Sequence, residues 1–179
     1  MNVYGKMIEY KDALFEAVCP YDLSISPNYS IPVYWAASLD LIENLDTDVF
    51  FYDPDQDAYK IWTQLTGVYE LNYSVTAEAT SNSGWSTRFT RLSSGILQGT
   101  ASDTTGSVIQ KTVSSSIVRT SGDSNETTNT MSTTIRLTEP SWLTLLLQHA
   151  NTRVSLYLVG GSVSISLKRI RPITNQDIL

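Results

Sequence analysis

A single cysteine, Cys19, leaves this chain with no internal disulfide, so its stability must come from packing, and a reducing compartment suits it. A single histidine, His149, excludes any site built from two or more histidine ligands within one chain. His149 is expected at a strand–turn junction, in a surface or turn role and not a catalytic one. No GxSxG nucleophile motif is present, and serines are too numerous for one to stand out. The longest apolar run, WLTLLL, falls far short of the roughly 18 residues that a membrane helix needs, so no membrane partner is expected. Collagen-like Gly-X-Y periodicity is missing. Net positive charge is missing too. At −6 overall, the chain is poorly suited to neutralising phosphates, which argues against nucleic acid as a partner. MNVYGKMIEYKDALF carries acids where an export signal has its apolar core. The expectation is a chain made in a host cell's cytoplasm and not exported by the usual route.

The charge is unevenly spread. Residues 1–78 hold 13 acids against Lys6, Lys11 and Lys60, giving −10, whereas residues 79–179 hold 9 bases against 5 acids, giving +4. Such asymmetry lets one copy's first part attract another's second part, and two solvated faces of one domain explain it equally.

The length suits one domain, which buries roughly two thirds of its unfolded surface. MIEYKDALFEAV, residues 7–18, sets Ile8, Lys11, Leu14, Phe15 and Val18 at helical spacing, with Glu9, Asp12 and Glu16 opposite. This predicts a short N-terminal helix stopped by Pro20. Too short to stand alone, it is expected to dock on a partner through Ile8, Leu14, Phe15 and Val18. CPYDLSISPNYSIP then reads as an extended arm. The predicted organisation is an attachment segment over residues 1–30 and a head domain over 31–179.

From Ile31 the pattern is strand. GVYELNYSVTAEA alternates Tyr69, Leu71, Tyr73, Val75 and Ala77 against Glu70, Asn72, Ser74, Thr76 and Glu78. MSTTIRL, WLTLLLQH and RVSLYLV also read as strands. Breaks fall at Asn82-Ser83-Gly84, Gly122-Asp123-Ser124-Asn125, Glu139-Pro140-Ser141 and Gly160-Gly161. About ten strands at this spacing predict an all-β antiparallel sandwich. Serine and threonine supply 29 of the 65 residues from Ser74 to Thr138, an uncharged surface suited to close approach or to water. The closing YLVGGSVSISLKRI places Val163, Ile165 and Leu167 on one side and Ser162, Ser164, Ser166 and Lys168 on the other.

Candidate chemistry is sparse. Asp53, Asp55 and Asp57 in DPDQD alternate as calcium-loop carboxylates do, but Ala58 stands where that loop needs glycine and Gln64 where it needs glutamate. They are weak metal candidates. The competing reading is a negative turn facing a basic neighbour. Lys168, Arg169 and Arg171 form a small basic cluster, read as a salt-bridging group before a phosphate site. Trp35 and Tyr69 are expected in the core, and Trp85, after Asn82-Ser83-Gly84, is the candidate for an exposed sugar-stacking ring. No cofactor is indicated.

IPVYWAASLDL, the Tyr/Asp-rich VFFYDPDQDAYKIWTQLTGVYELNYSV, the STTIRL strand and the final VGGSVSISLKRI together resemble the jelly roll of the tumour-necrosis-factor and complement globular-head superfamily over about residues 31–171. The chain departs from the family pattern at Glu139-Pro140-Ser141, where the family often has Gly-Asp. The resemblance implies a homotrimer in which one sheet of each sandwich, including the last strand, packs near the threefold axis. Tyr69, Tyr73, Ser162, Ser164 and Ser166 then form the interface, the serines allowing neighbouring backbones to approach. A serine face turned to water is the alternative. With no leader, stalk or anchor in view, the resemblance points to a non-enzymatic virion structural protein. It would be a capsid decoration or head-fibre subunit on the outer surface, attached to a major capsid protein or another virion protein through residues 1–30. A fibre tip gripping host glycan through Trp85 is the first alternative, and a carbohydrate-active enzyme the second.

Overall fold

Where periodicity points to a helix over residues 7–18, the described part of that segment is a strand. A computed structural model describes residues 13–35, 42, 44–79, 89–119, 126–150 and 155–174. In chain order they form β1 (Ala13–Val18), β2 (Leu23–Ile25), β3 (Ser30–Pro32), β4 (Asn44–Leu45), β5 (Phe50–Phe51), a one-turn helix α1 (Pro54–Asp57), β6 (Ile61–Thr63) and β7 (Gly67–Ala79). β8 (Phe89–Gly99), β9 (Ser107–Val108), a 3-10 turn (Gln110–Thr112), β10 (Ser114–Arg119), β11 (Glu126–Leu137), β12 (Ser141–His149), β13 (Leu156–Leu158) and β14 (Val163–Arg171) complete the order. The fourteen strands among the described residues exceed the ten expected because β2–β6 and β9 are pieces of only two or three residues, β2 and β3 of them in the stretch read as an arm.

The strands make two seven-stranded sheets. The first runs β11-β7-β14-β1-β4, with β13 and β2 continuing beyond the end of β14. The second runs β10-β8-β12-β6-β5, with β3 on β12 and β9 on β8. Among the described residues every pairing is antiparallel, and β1 lies beside β14. Inward residues of the two sheets meet in one core, where Phe15 packs at 5.9 Å from Phe50 and 6.3 Å from Tyr52, and Phe50 at 6.0 Å from Tyr69. Leu71, Leu92, Ile96, Ile135, Leu143 and Leu145 fill the rest. Trp35 and Tyr69 are buried there, as expected.

β1 corrects the predicted helix and arm. Ala13, Phe15 and Ala17 point inward while Leu14, Glu16 and Val18 are half-buried on the other side. Six residues of β1 pair with Arg169 through Ser164 of β14. In six residues the two periods are hard to separate, and a neighbouring strand with unpaired backbone groups decides for extension. β2 and β3 likewise join the sheets, so residues 13–32 belong to the sandwich, and residue 30 is no boundary between arm and head. Phe15, read as an attachment residue, is core at 0 % exposure. Ile8 lies outside the described residues. Among the described residues the α-helix is α1, opened by Asp53, whose side chain accepts from the Asp55 and Gln56 amides, with Pro54 at its first position.

Candidate assembly face

The outer face of the first sheet follows from the same alternation that builds the core. On β14, Ser164 lies opposite Ser74 of β7 and Val18 of β1, and Ser166 opposite Asn72 and Glu16. Beyond β7, Ser74 faces Thr130 of β11, and Asn72 faces Ser132. Two rows cross four strands: Val18-Ser164-Ser74-Thr130 and Glu16-Ser166-Asn72-Ser132. Three strand spacings make the rows about 14 Å wide. Side chains this short leave a shallow groove of about 410 Å³, with Glu16 the only carboxylate and no cation among the described residues that line it. One row on, Thr76 and Thr128 share a 2.9 Å hydroxyl contact, the kind of cross-strand pair that stiffens a sheet surface. A face of small hydroxyls with almost no charge costs less to desolvate than a charged one and lets another backbone come near.

Three of the five residues expected at an interface, Ser164, Ser166 and Tyr73, belong to the groove's lining, Tyr73 although it is almost wholly buried. Ser162 sits in the turn before β14, half-buried, and its carbonyl accepts from the Thr76 amide at 2.9 Å. Tyr69 and Tyr73 point the other way. Tyr73 is 3 % exposed; its hydroxyl donates to the Thr112 carbonyl at 2.6 Å and accepts from the Ser94 hydroxyl at 3.2 Å, tying the two sheets together through the core. Burial raises its pKa against the opposing pull of the Ser94 and Ser114 contacts. Tyr69 is fully buried and donates to the Leu65 carbonyl. Burial pushes its pKa up to about 12, against the smaller opposing effect of the Arg169 guanidinium. The alternation places both rings inside, and that is the correction to their interface role. Glu16, Val18, Asn72, Ser74, Thr130 and Ser132 were not expected at the groove. Their outward phase is legible in each strand, but their meeting depends on β1 lying beside β14.

The remaining candidates separate. Asp53 caps α1, Asp57 pairs with Lys60 at 3.1 Å, and Asp55 is exposed. The basic neighbour facing this negative turn is thus Lys60. No group of three or more His, Cys, Asp or Glu side chains placed to hold a metal ion occurs among the described residues. Arg169 leaves the expected basic cluster: its guanidinium donates to the Thr66 carbonyl at 2.8 and 3.2 Å. His149 is indeed where β12 meets a turn, but it is fully buried instead of surface-exposed, with Nε2 sharing a hydrogen bond with the Thr90 hydroxyl. Burial lowers its pKa, against the Ser26 and Ile25 backbone. Trp85 lies outside the described residues. Among the described residues no helix is long and apolar enough to cross a membrane.

No protein-family model and no curated protein matches the chain. Solved structures do. Murine APRIL at pH 8.0 matches with a TM-score of 0.58 and 9% identity over 89% of this chain and 100% of that one. Murine APRIL at pH 5.0 gives 0.59 and 10% over the same shares. The structure of Eiger TNF from S. frugiperda gives 0.59 and 11%, over 92% of this chain and 94% of that one. At such identities the likeness concerns fold alone, and it establishes that the chain folds as a TNF-like antiparallel jelly-roll sandwich.

Proposed function

We propose that this chain is a non-enzymatic structural subunit that works as a homotrimer, packing through the outer face of its first sheet. The observation that carries the reading is the serine-lined groove formed by Ser164, Ser166, Asn72, Ser74, Thr130 and Ser132. It is a shallow depression four strands wide, nearly without charge, on the sheet that contains the last strand. A ring of three joins two different patches of each copy. The groove is one. The other is the edge of the second sheet, where β10 pairs with β8 and with no other strand among the described residues, and presents Ile117 at 66 % exposure. An isoleucine this exposed at a strand edge is a hazard that assembly removes.

Within this reading the setting we favour is the outer surface of a virion, as a capsid decoration or head-fibre subunit. The hydroxyl-rich, weakly charged strands and the buried lone thiol of Cys19 suit assembly in a reducing cytoplasm. Attachment to a capsid protein then falls to residues ahead of Ala13, since those from Ala13 onward are built into the sandwich.

The test is the mass in solution of the wild-type chain and of Ser166→Arg. The expected result is about three times 19.9 kDa for the wild type and a folded species of 19.9 kDa for the variant. A wild type that stays at 19.9 kDa across micromolar concentrations refutes the assembly. For the setting, the chain is incubated with virions stripped of it, with and without residues 1–12. Binding that requires those residues is expected.

A further inference from the structure

The outer face of the second sheet, on the far side of the sandwich from the serine groove, carries a band of aromatic rings. Phe50 and Ile61 are wholly buried in the core, so their neighbours Phe51 and Trp62 point outward. The two lie directly opposite each other in the β5–β6 register, and Trp62 lies opposite Trp142 of β12. Lys60, two residues before Trp62, reaches over the Trp142 ring, with Nζ 5.1 Å from its centre and 5.6 Å from that of Tyr59. Tyr59 meets Tyr34 edge-to-face at 5.8 Å. The band thus runs from Tyr34 to Phe51, with Lys60 seated inside it. Phe51 is 49 % exposed and Tyr34 43 %, and Tyr59 and Trp62 are half-buried. Trp142 is buried beneath them, its Nε1 donating to the Thr100 and Asp103 carbonyls.

A cluster of exposed rings rimmed by polar groups marks a binding surface, and the rim selects the guest. The one-turn helix α1 joins β5 to β6 and exposes Asp55 and Gln56, while Asp57 pairs with Lys60 at 3.1 Å. An apolar protein face laid over the band would desolvate that ion pair at a cost. A cationic guest would meet Lys60 already in place between Tyr59 and Trp142, and an anionic guest would meet the carboxylates of α1. An uncharged sugar chain avoids all three penalties. Its C–H faces lie on rings, and its hydroxyls donate to carboxylates and accept from amide and ammonium groups.

We propose that this band is a carbohydrate-binding platform: pyranose rings of an uncharged oligosaccharide stack on Phe51, Trp62, Tyr59 and Tyr34, and α1 with the Asp57–Lys60 pair hydrogen-bonds their hydroxyls. As directly opposed neighbours, Phe51 and Trp62 have Cβ atoms about 5 Å apart, so the band is wide enough for more than one sugar of a chain. The edge-to-face tyrosine pair and the fixed lysine order the rings before a ligand arrives, which lowers the entropic cost of binding. The inference stands apart from trimer formation, since the platform sits at the β5 end of the second sheet, opposite the β10 edge.

A glycan array of neutral, N-acetylated and sialylated oligosaccharides, followed by titration calorimetry with its tightest binder, tests the proposal. Binding to uncharged glycans in preference to sialylated ones is expected. Phe51→Ala and Tyr34→Ala should each weaken it about 10-fold, and the double variant should abolish it. Tyr29→Ala removes a ring of 65 % exposure at the other end of β12, where the Tyr29 carbonyl accepts from the His149 amide, and should leave affinity unchanged. All three replaced rings are exposed, so unaltered melting temperatures confirm that folding is intact. An array without binding overturns the proposal, and so does a preference for sialylated glycans. An equal loss in Tyr29→Ala would overturn it as general aromatic adhesion. A change of solution mass in Phe51→Ala without sugar binding would also overturn it, assigning the rings to a contact between copies.

Discussion

Replacing Phe15 by alanine separates a sandwich strand from an attachment arm. In the structure the ring is wholly buried, 5.9 Å from Phe50 and 6.3 Å from Tyr52, at the middle of a strand hydrogen-bonded on both sides. Truncation removes the ring's apolar burial and leaves a hole that β4 and β14 cannot close without breaking their register. Phe→Ala at such sites costs about 3–5 kcal/mol. For a domain of this size each kcal/mol shifts the melting temperature by roughly 2–4 °C, so the drop should be on the order of 10 °C. Leu14→Ala, one residue away on the half-buried outer face, should cost about 1 kcal/mol or less. Thermal and urea unfolding at one fixed protein concentration measure both, because assembly makes stability concentration-dependent. A Phe15→Ala variant that melts with the wild type, while failing to attach to particles, would refute the strand and restore the arm.

Acid should act through His149. Its folded-state pKa lies below the ordinary value near 6.5, so the unfolded chain takes up this proton first. Stability should therefore fall as pH drops from about 6.5 toward the folded value, and His149→Gln should flatten that slope in urea titrations. Tyr69 acts in the opposite direction. With its folded pKa raised to about 12, the unfolded state ionises first, and stability should decline as pH rises from about 10 to 12; Tyr69→Phe should remove that portion of the alkaline loss. At Gly99 a methyl group would sit 2.3 Å from the Trp142 ring, which is held by Nε1 bonds to the Thr100 and Asp103 carbonyls at 3.0 Å each. Gly99→Ala should therefore cost about 1–3 kcal/mol in chemical denaturation.

Part of this protein was written in local pattern. The strict alternation of residues 67–79 and 163–167 places Leu71, Val75, Ile165 and Leu167 inside and the serines outside, because side chains on a strand have only two directions to take. The cap at Asp53 and the turn at Gly160-Gly161, where Gly161 adopts a φ of 88°, follow from equally local chemistry. Residues 13–18 went astray for the converse reason: six residues fit both a helix and a strand, and the edge of β14 chose between them. Tyr69 and Tyr73 show a different failure. Their inward phase was legible, but a tyrosine hydroxyl invites a surface role, and only the core acceptors Leu65, Thr112 and Ser94 reveal how it is satisfied inside.

The sequence by itself determined the all-β class, the two-faced strands and the shortage of catalytic groups, since these depend on residue type and on neighbours two positions away. Tertiary structure alone decided that β1 lies against β14, that serines from three segments share a groove with Glu16, and that an irregularity between Arg169 and Arg171 sets Arg171 opposite Val68. Those outcomes depend on which strands pair and in what register, and pairing across 150 residues leaves no periodic trace in either partner.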